Sequence, residues 1–416
     1  MTRPDGHFSP FVVTRADLVI TSRAKVEPVR NRPRRALPGA LIEAHGAGKA
    51  GEDLSVHEAP RMKKLDRTGP DRRPEDGVPI IALAHNEVNI LGAFLDHYRA
   101  ITRPAFLIVD DRSTDGTAEI LADAPDVTVF TPHAGSNYRD DKAQWRSDLL
   151  DAYCDGRWCL APDLDEHFVF PGMEARSLDA YCAALEAEGA EAVATLMIDM
   201  YADRPLAEHV FDPGDGRTLA ETFPLFDGPA EVPAGYFMRP TSGRERKRWP
   251  TPPVAFSGGL RHRLFTDHME GLPGWKAAAI ERLNRLDRPI NPGPAERARN
   301  LAARALTYRT VRANANQTKL GLIRWQAGMA FNGGAHKVDR ALPVSESIAA
   351  FLHYKFTRGQ AGLEYTAARG QHNKGARGIR KMLERGDVLA RSPVWEGTRR
   401  YEGARSLDGL IRDIPG

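Results

Sequence analysis

The run VPIIALA at 78–84 constrains this chain more than any other feature. It is apolar throughout, rich in branched side chains and too short for a buried helix, so it reads as a strand covered on both faces. Such strands belong to parallel sheets, whose crossover connections are usually helices. The next segment supplies one: in NEVNILGAFLDHYRAI, Ile90, Leu91, Phe94, Leu95 and Tyr98 recur at helical spacing, with Asn86 or Glu87 near the helix start. AFLIVDD then reads as a second buried strand, STDGTAEILADA as a helix with a Ser/Thr/Asp cap, and VTVFTP as a third strand. RDDKAQWRSDLLDAYC continues as a helix, GRWCLAPDLDE as a strand ending in carboxylates, LDAYCAALEAEG as a helix and AEAVATLMIDM as a strand. This rhythm predicts an α/β fold with a doubly wound, mostly parallel, Rossmann-like sheet flanked by helices. Ligands of such sheets sit beyond the carboxyl ends of the strands, so the polar residues there are the candidates.

The 416 residues exceed one usual domain, and 42% hydrophobic with 27% charged residues is ordinary for a folded enzyme. Residues 1–77 read as an extended or disordered arm, basic around Arg30, Arg32, Arg34 and Arg35, a pattern that suits a solvated tail first and, as alternatives, peripheral contact with an anionic membrane or with nucleic acid. Residues 78–375 read as one folded domain, regular over 78–200 and looser in pattern over 201–375, and 376–416 as a helical tail. A net charge of +3 argues against nucleic acid as a partner of the whole chain. Cys154, Cys159 and Cys182 cannot all pair and lack zinc spacing, which suits a reduced, cytoplasmic setting, at most peripheral at the inner membrane face. No apolar run reaches membrane-spanning length, and the N-terminus shows no cleavable leader pattern.

Two acidic clusters carry the chemistry. In a strand, Asp163 and Asp165 would point to the same side and present two carboxylates where WCLAP runs out, the outline of a site for magnesium or manganese. Asp110 and Asp111, between the strand FLIV and a helix, stand where a nucleotide's ribose or base is hydrogen-bonded; Ser113, Thr114 or Asp115 would cap the helix. Arg139, Lys142 and Arg146 share one helical face suited to phosphate, or else pair with the aspartates around them. Arg261 and Arg263, two apart, would meet a diphosphate or an acidic acceptor, or else line a solvated strand.

Ala84-His85-Asn86-Glu87, IVDDRSTDGT and DLDE, in this order, resemble the family 2 glycosyltransferases of GT-A fold. The closer resemblance is to a bacterial branch with DxDE and a late His-Tyr-Lys element, here Asp163 to Glu166 and His353-Tyr354-Lys355, over roughly 78–371. GGLRHRLF at 258–265 and TKLGLIRW at 318–325, which contains Lys319, also look like that branch. The resemblance implies a nucleotide-sugar donor whose nucleoside meets His85, Asn86, Glu87 and Asp110 or Asp111. It also implies a divalent metal, manganese or magnesium, on Asp163, Asp165 and His353. Lys142 and Arg146 are candidates for the donor's phosphates, and Lys319 and His336 for phosphate or acceptor contacts, His336 also being the second candidate for the metal's histidine. Glycan, lipid-linked and protein acceptors all remain open.

Inverting sugar transfer requires positive charge at the leaving diphosphate and a carboxylate to take the acceptor's proton. No Glu-Asp pair stands at the family's usual distance after DxD. Asp199, closing the run AVATLMI, is the first candidate for that base and Glu166 the second. The missing pair motivates an alternative, a non-catalytic nucleotide- or glycan-binding protein on the same fold. A phosphohydrolase would want a different spacing around its nucleophilic aspartate than DDRST or DLDEH provides.

Overall fold

The computed structural model describes residues 62–230, 235–266, 271–312, 316–371 and 373–415. Contacts divide the chain between 58 and 59, and all described residues lie in the second unit. In chain order the strands are β1 (Leu65–Thr68), β2 (Val78–Ala84), β3 (Pro104–Asp110), β4 (Val127–Pro132), β5 (Trp158–Leu160), β6 (Glu166–Val169), β7 (Ala192–Tyr201), β8 (Leu225–Asp227), β9 (Tyr236–Pro240), β10 (Val254–Gly258), β11 (Thr318–Arg324), β12 (Val344–His353) and β13 (Thr398–Arg400). Eleven of them form one sheet, ordered β1-β4-β3-β2-β5-β11-β7-β12-β6, with β8 on β7 and β13 on β8; β9 and β10 pair separately.

The helices are α1 (Val88–Ile101), α2 (Thr117–Asp123), α3 (Tyr138–Tyr153), α4 (Leu178–Glu188), α5 (Leu219–Thr222), α6 (Gly243–Arg248), α7 (Gly259–Phe265), α8 (Gly274–Leu283), α9 (Pro294–Leu306), α10 (Tyr308–Arg312), α11 (Gly359–Arg369), α12 (Asn373–Leu383) and α13 (Gly386–Leu389). The class is α/β, a large central sheet flanked by helices in a Rossmann-like arrangement, as the sequence leads one to expect. β4, β3, β2 and β5 run parallel, as do β7 and β12; β1, β11, β6, β8 and β13 join antiparallel.

Local chemistry explains the elements that hold the site. Every residue of β2, β3 and β7 is buried, so these strands must be covered on both faces. α1 lays Ile90, Leu91, Phe94, Leu95 and Tyr98 into the core, adding Ile101 one turn on. Asp115 accepts from the Thr117 amide and hydroxyl and from the Val88 amide, tying the starts of α2 and α1 together. Gly116 between them takes φ 96°, which a side chain would resist. In β11, a Cβ at Gly321 would stand 2.1 Å from Thr195 Oγ1, and the pairing with β7 slips there by one residue. That close approach sets β11 between β5 and β7 and aims Lys319 at the strand ends.

Three expected boundaries differ. Order starts before Val78: β1 pairs with β4, and the Lys63 and Lys64 amides both donate to Asp148 Oδ2 at 2.9 Å. The rest of the expected basic arm, residues 1–61, falls outside the described residues. The expected tail 376–416 is not simply helical, since β13 adds to β8 and Arg412 exchanges backbone hydrogen bonds with Ile348 of β12. GGLRHRLF forms helix α7 and not a strand, so Arg261 and Arg263 do not alternate across a sheet.

Candidate functional site

A cleft of about 650 Å³ opens beyond the ends of β2, β7 and β12, roofed by α11 and α12. His85, Glu87, Lys142, Arg146, Asp163, Asp165, Glu166, Arg261, Lys319, His336 and His353 all line it. Asn86, Asp110, Asp111, Asp199 and Arg263, the remaining candidates, do not.

β5 stops at Leu160, and Asp163 and Asp165 lie in the turn that leads into β6. Their approach therefore does not come from strand alternation. Pro162 cannot extend a ladder, and the turn is closed by the Glu166 amide on Asp163 O at 3.0 Å and the Asp163 amide on Glu166 Oε2 at 2.9 Å. Arg146, fully buried on α3, donates to Asp163 Oδ1 at 2.5 Å, and Lys319 Nζ lies 2.9 Å from Asp163 Oδ2 and 3.0 Å from Glu166 Oε2. Burial raises the Asp163 carboxyl, but Lys319 and Arg146 outweigh it and hold the group well below the usual range. Both oxygens of Asp163 are thus engaged by cations.

Asp165 has a different shell. Its Oδ2 lies 3.4 Å from His353 Nε2 and 3.5 Å from Lys355 Nζ. Burial pushes its carboxyl upward, yet Lys355 and His353 keep it well below the ordinary value. One oxygen each of Asp165 and Glu166 and one nitrogen of His353 lie within 4.8 Å of one another. Glu166 Oε1 is buried without a hydrogen-bond partner, a costly state for a carboxylate oxygen unless something binds there. Two oxygens and an imidazole nitrogen make a donor set that fits manganese or magnesium, with positions left for phosphate oxygens and water. Among the described residues, Asp165, Glu166 and His353 are the group whose ligand atoms lie close enough together to hold such an ion.

His353 is oriented from behind. Its Nδ1 meets Asp199 Oδ1 at 2.6 Å, leaving Nε2 toward Asp165. Asp199 also accepts from Arg261 Nε at 2.8 and 2.9 Å and from Gln317 Nε2 at 3.2 Å, and it is 1% exposed. Burial raises its carboxyl, but Arg261 and His353 hold it far below the usual range. Asp199 is therefore a support for the imidazole, of the kind that orients a ligating histidine, and not the solvent-facing base expected from its strand end. Arg261 reaches the cleft wall while gripping Asp199; Arg263 turns away and binds Asp227 at 2.9 and 3.0 Å. His336 lines the cleft with Nδ1 on Thr318 O at 2.7 Å, and burial beside Lys319 lowers its pKa to about 3, so the ring is neutral.

At the β2–β3 end, α11 covers the residues expected to meet the nucleoside. Tyr365 Oη lies 3.0 Å from His85 Nε2 and 2.9 Å from Asn86 Nδ2. His85 Nδ1 sits 2.7 Å from Asp111 O, an acceptor only, so Nδ1 carries the proton and Nε2 accepts from the Tyr365 hydroxyl. Asn86, at φ 54°, also accepts the Thr114 amide at 2.7 Å. Asp110 accepts the Ser113 amide at 3.1 Å, and Asp111 is held by Arg112 at 2.7 Å and Arg369 at 2.6 Å. Both aspartates thus complete the turn and the α11 contact, where free carboxylates had been expected. Glu87, facing Arg358 at 3.7 Å, is raised by burial to about 7 despite that guanidinium.

Arg139 and Lys142 stand on the α3 wall with no ion pair among the described residues, Lys142 Nζ lying 4.6 Å over the Tyr138 ring. Sequence reasoning assigned no role to Lys355, Arg358, Tyr365, Arg369 or Gln317. Only Lys355 left a signal, as the last residue of the His-Tyr-Lys element; Arg358, Tyr365, Arg369 and Gln317 meet their partners across long stretches of sequence.

No family model matches the chain, and no curated protein matches it. Among solved structures, it is similar to residues 1–349 of TarS from S. aureus, with 12% identity, a TM-score of 0.25, and coverage of 64% of this chain and 60% of that one. The chain thus spans under two thirds of that neighbour, and at this distance the likeness carries no functional argument.

Proposed function

We propose that this protein is a metal-dependent glycosyltransferase that takes a sugar from a nucleoside diphosphate donor and passes it to a hydroxyl acceptor. One observation carries this reading: a single cleft combines the Asp165, Glu166 and His353 donor set with Arg139 and Lys142, which make no ion pair among the described residues. The inner groups nearly balance on their own, with Asp163, Asp165, Glu166 and Asp199 set against Arg146, Lys319, Lys355 and Arg261. A ligand that keeps this balance must bring its own opposite charges, as a diphosphate bound with a divalent cation does.

In this reading Asp165, Glu166 and His353 hold the metal, and Asp199 fixes His353. A bound divalent cation would supply positive charge to the departing diphosphate. Lys142 and Arg139 add hydrogen-bond donors to the same phosphates, and Arg146 with Lys319 keeps Asp163 ionised at the cleft floor. His85, Asn86 and Glu87 are assigned to the nucleoside end, under α11. The resemblance of AHNE, DDRSTDGT and DLDE to family 2 sequences supports this assignment.

A second reading, a non-catalytic nucleotide- or glycan-binding protein, is favoured by one observation: Asp199, the expected base, is locked by Arg261 and His353. One experiment separates the two. Calorimetric titration with UDP and GDP, in manganese and then in EDTA, is expected to show metal-dependent binding that Asp165→Ala weakens at least about tenfold. Equal binding by wild type and Asp165→Ala would refute the site. Binding without transfer or slow hydrolysis of any nucleotide sugar would select the second reading.

A further inference from the structure

Helix α9 is amphipathic the wrong way round for a helix that merely covers a core. Its spacing puts Pro294, Ala298, Leu301 and Ala305 on one line, and all four are exposed, Leu301 to 61%. The opposite line, Glu296 and Ala303, is the buried one. Leu306, one residue beyond Ala305, is 48% exposed. The neighbouring helix α8, which packs against α9, adds Trp275, 64% exposed, and Ala278 one turn on. From beneath, the pair is anchored by Ile280 with Phe237 and Val311, and by Thr307 Oγ1 on Asn284 Oδ1 at 2.9 Å.

The charge of this segment points to what covers it. Leu272 to Val311 holds eight basic residues against three acidic ones. Asp287 and Glu296 are already held by Arg285, Arg288 and Arg299. Among the described residues, Lys276, Arg282, Arg297, Arg304 and Arg309 make no ion pair, so the described cations around the exposed apolar strip outnumber its acidic residues. A second copy meeting the same face would bring like charge against like. A hydrophobic strip with an exposed tryptophan among arginines is instead suited to the headgroup region of an anionic bilayer. There the apolar side chains insert and the cations meet lipid phosphates.

We infer that α8 and α9 form a membrane-docking surface for anionic lipid. This surface is independent of the cleft and of the transferase reading, and it differs from the basic arm expected at 1–77. Such docking would need no spanning helix, and among the described residues no helix is long and apolar enough to cross a bilayer.

Vesicle co-sedimentation of the full chain tests this. At about 0.1 M salt, binding is expected to vesicles of phosphatidylcholine with about one-third phosphatidylglycerol and not to phosphatidylcholine alone. The double substitution Trp275→Ser with Leu301→Ser, both at exposed positions, is expected to weaken that binding at least about tenfold at an unchanged melting temperature. Arg297→Gln with Arg304→Gln is expected to flatten its salt dependence. Three outcomes overturn the inference: no preference for anionic vesicles, wild-type binding by the Trp275/Leu301 variant, or a dimer in sedimentation velocity that this variant dissociates.

Discussion

Lys319 bridges Asp163 and Glu166 with its side chain 1% exposed, so it has no water to fall back on and neither does Glu166. Lys319→Met would leave the buried Glu166 carboxylate without its cation, while Asp163 keeps Arg146, and a buried pair that loses one partner costs about 3–5 kcal/mol. Denaturant unfolding is expected to show that loss, and adding Glu166→Gln is expected to recover part of it; full stability of the single variant would contradict the bridge. Glu87 makes a different demand, because burial raises it from the ordinary 4.5 to about 7. Between those values the folded protein holds a proton that the unfolded chain has released. The stability tied to this group is thus complete below pH 4.5 and lost as pH rises through 7. Glu87→Gln mimics the protonated form, so it is expected to gain about 1–3 kcal/mol relative to wild type between pH 5 and pH 8. Parallel pH profiles of the two proteins would rule out the shift.

α11 reaches the β2–β3 end through Arg358, Tyr365 and Arg369, each making a polar contact with residues more than two hundred positions away. Tyr365→Phe removes contacts to His85 and Asn86, each worth about 1 kcal/mol net, so hydrogen exchange across 359–371 is expected to quicken roughly tenfold while the melting temperature hardly moves. An equal drop in global stability would mean that α11 opens only when the sheet does. This helix also shows where sequence reading stops. The stripe of α1 and the buried runs β2, β3 and β7 were legible because each carries its own period. The cleft's acidic turn was legible as a motif but not as geometry: DLDE read as a strand end, and Pro162 makes it a turn. Asp199 read as a cleft base for the same reason. Strand position alone could not reveal that Arg261, 62 residues on, and His353, 154 residues on, would claim its oxygens.

Across the whole molecule, the sheet is longer than the apolar runs announce, because its edges are made by strands with little apolar signal. β1 reads LDRT and buries only Leu65, yet it closes the β4 edge, and 62–77 fastens α3 through Asp148. Arg72 adds a further tie, its amide donating to Thr128 Oγ1 at 3.0 Å and its guanidinium to Ala124 O at 2.9 Å. None of this was legible from a segment dominated by Arg, Lys, Pro and Gly, where pairing depends on a partner strand far along the chain. The consequence is a contrast between two truncations. A chain beginning at Ala59 keeps the unit intact and is expected to melt like the full protein. A chain beginning at Val78, where the apolar pattern starts, uncovers the β4 edge and strands Asp148 without its two amide donors. Losing those bonds and the buried Leu65 side chain is expected to cost about 3–5 kcal/mol and to favour edge-to-edge association. Thermal melts with sedimentation velocity read both effects. Equal midpoints and a monomeric Val78 chain would show that β1 decorates the sheet without supporting it.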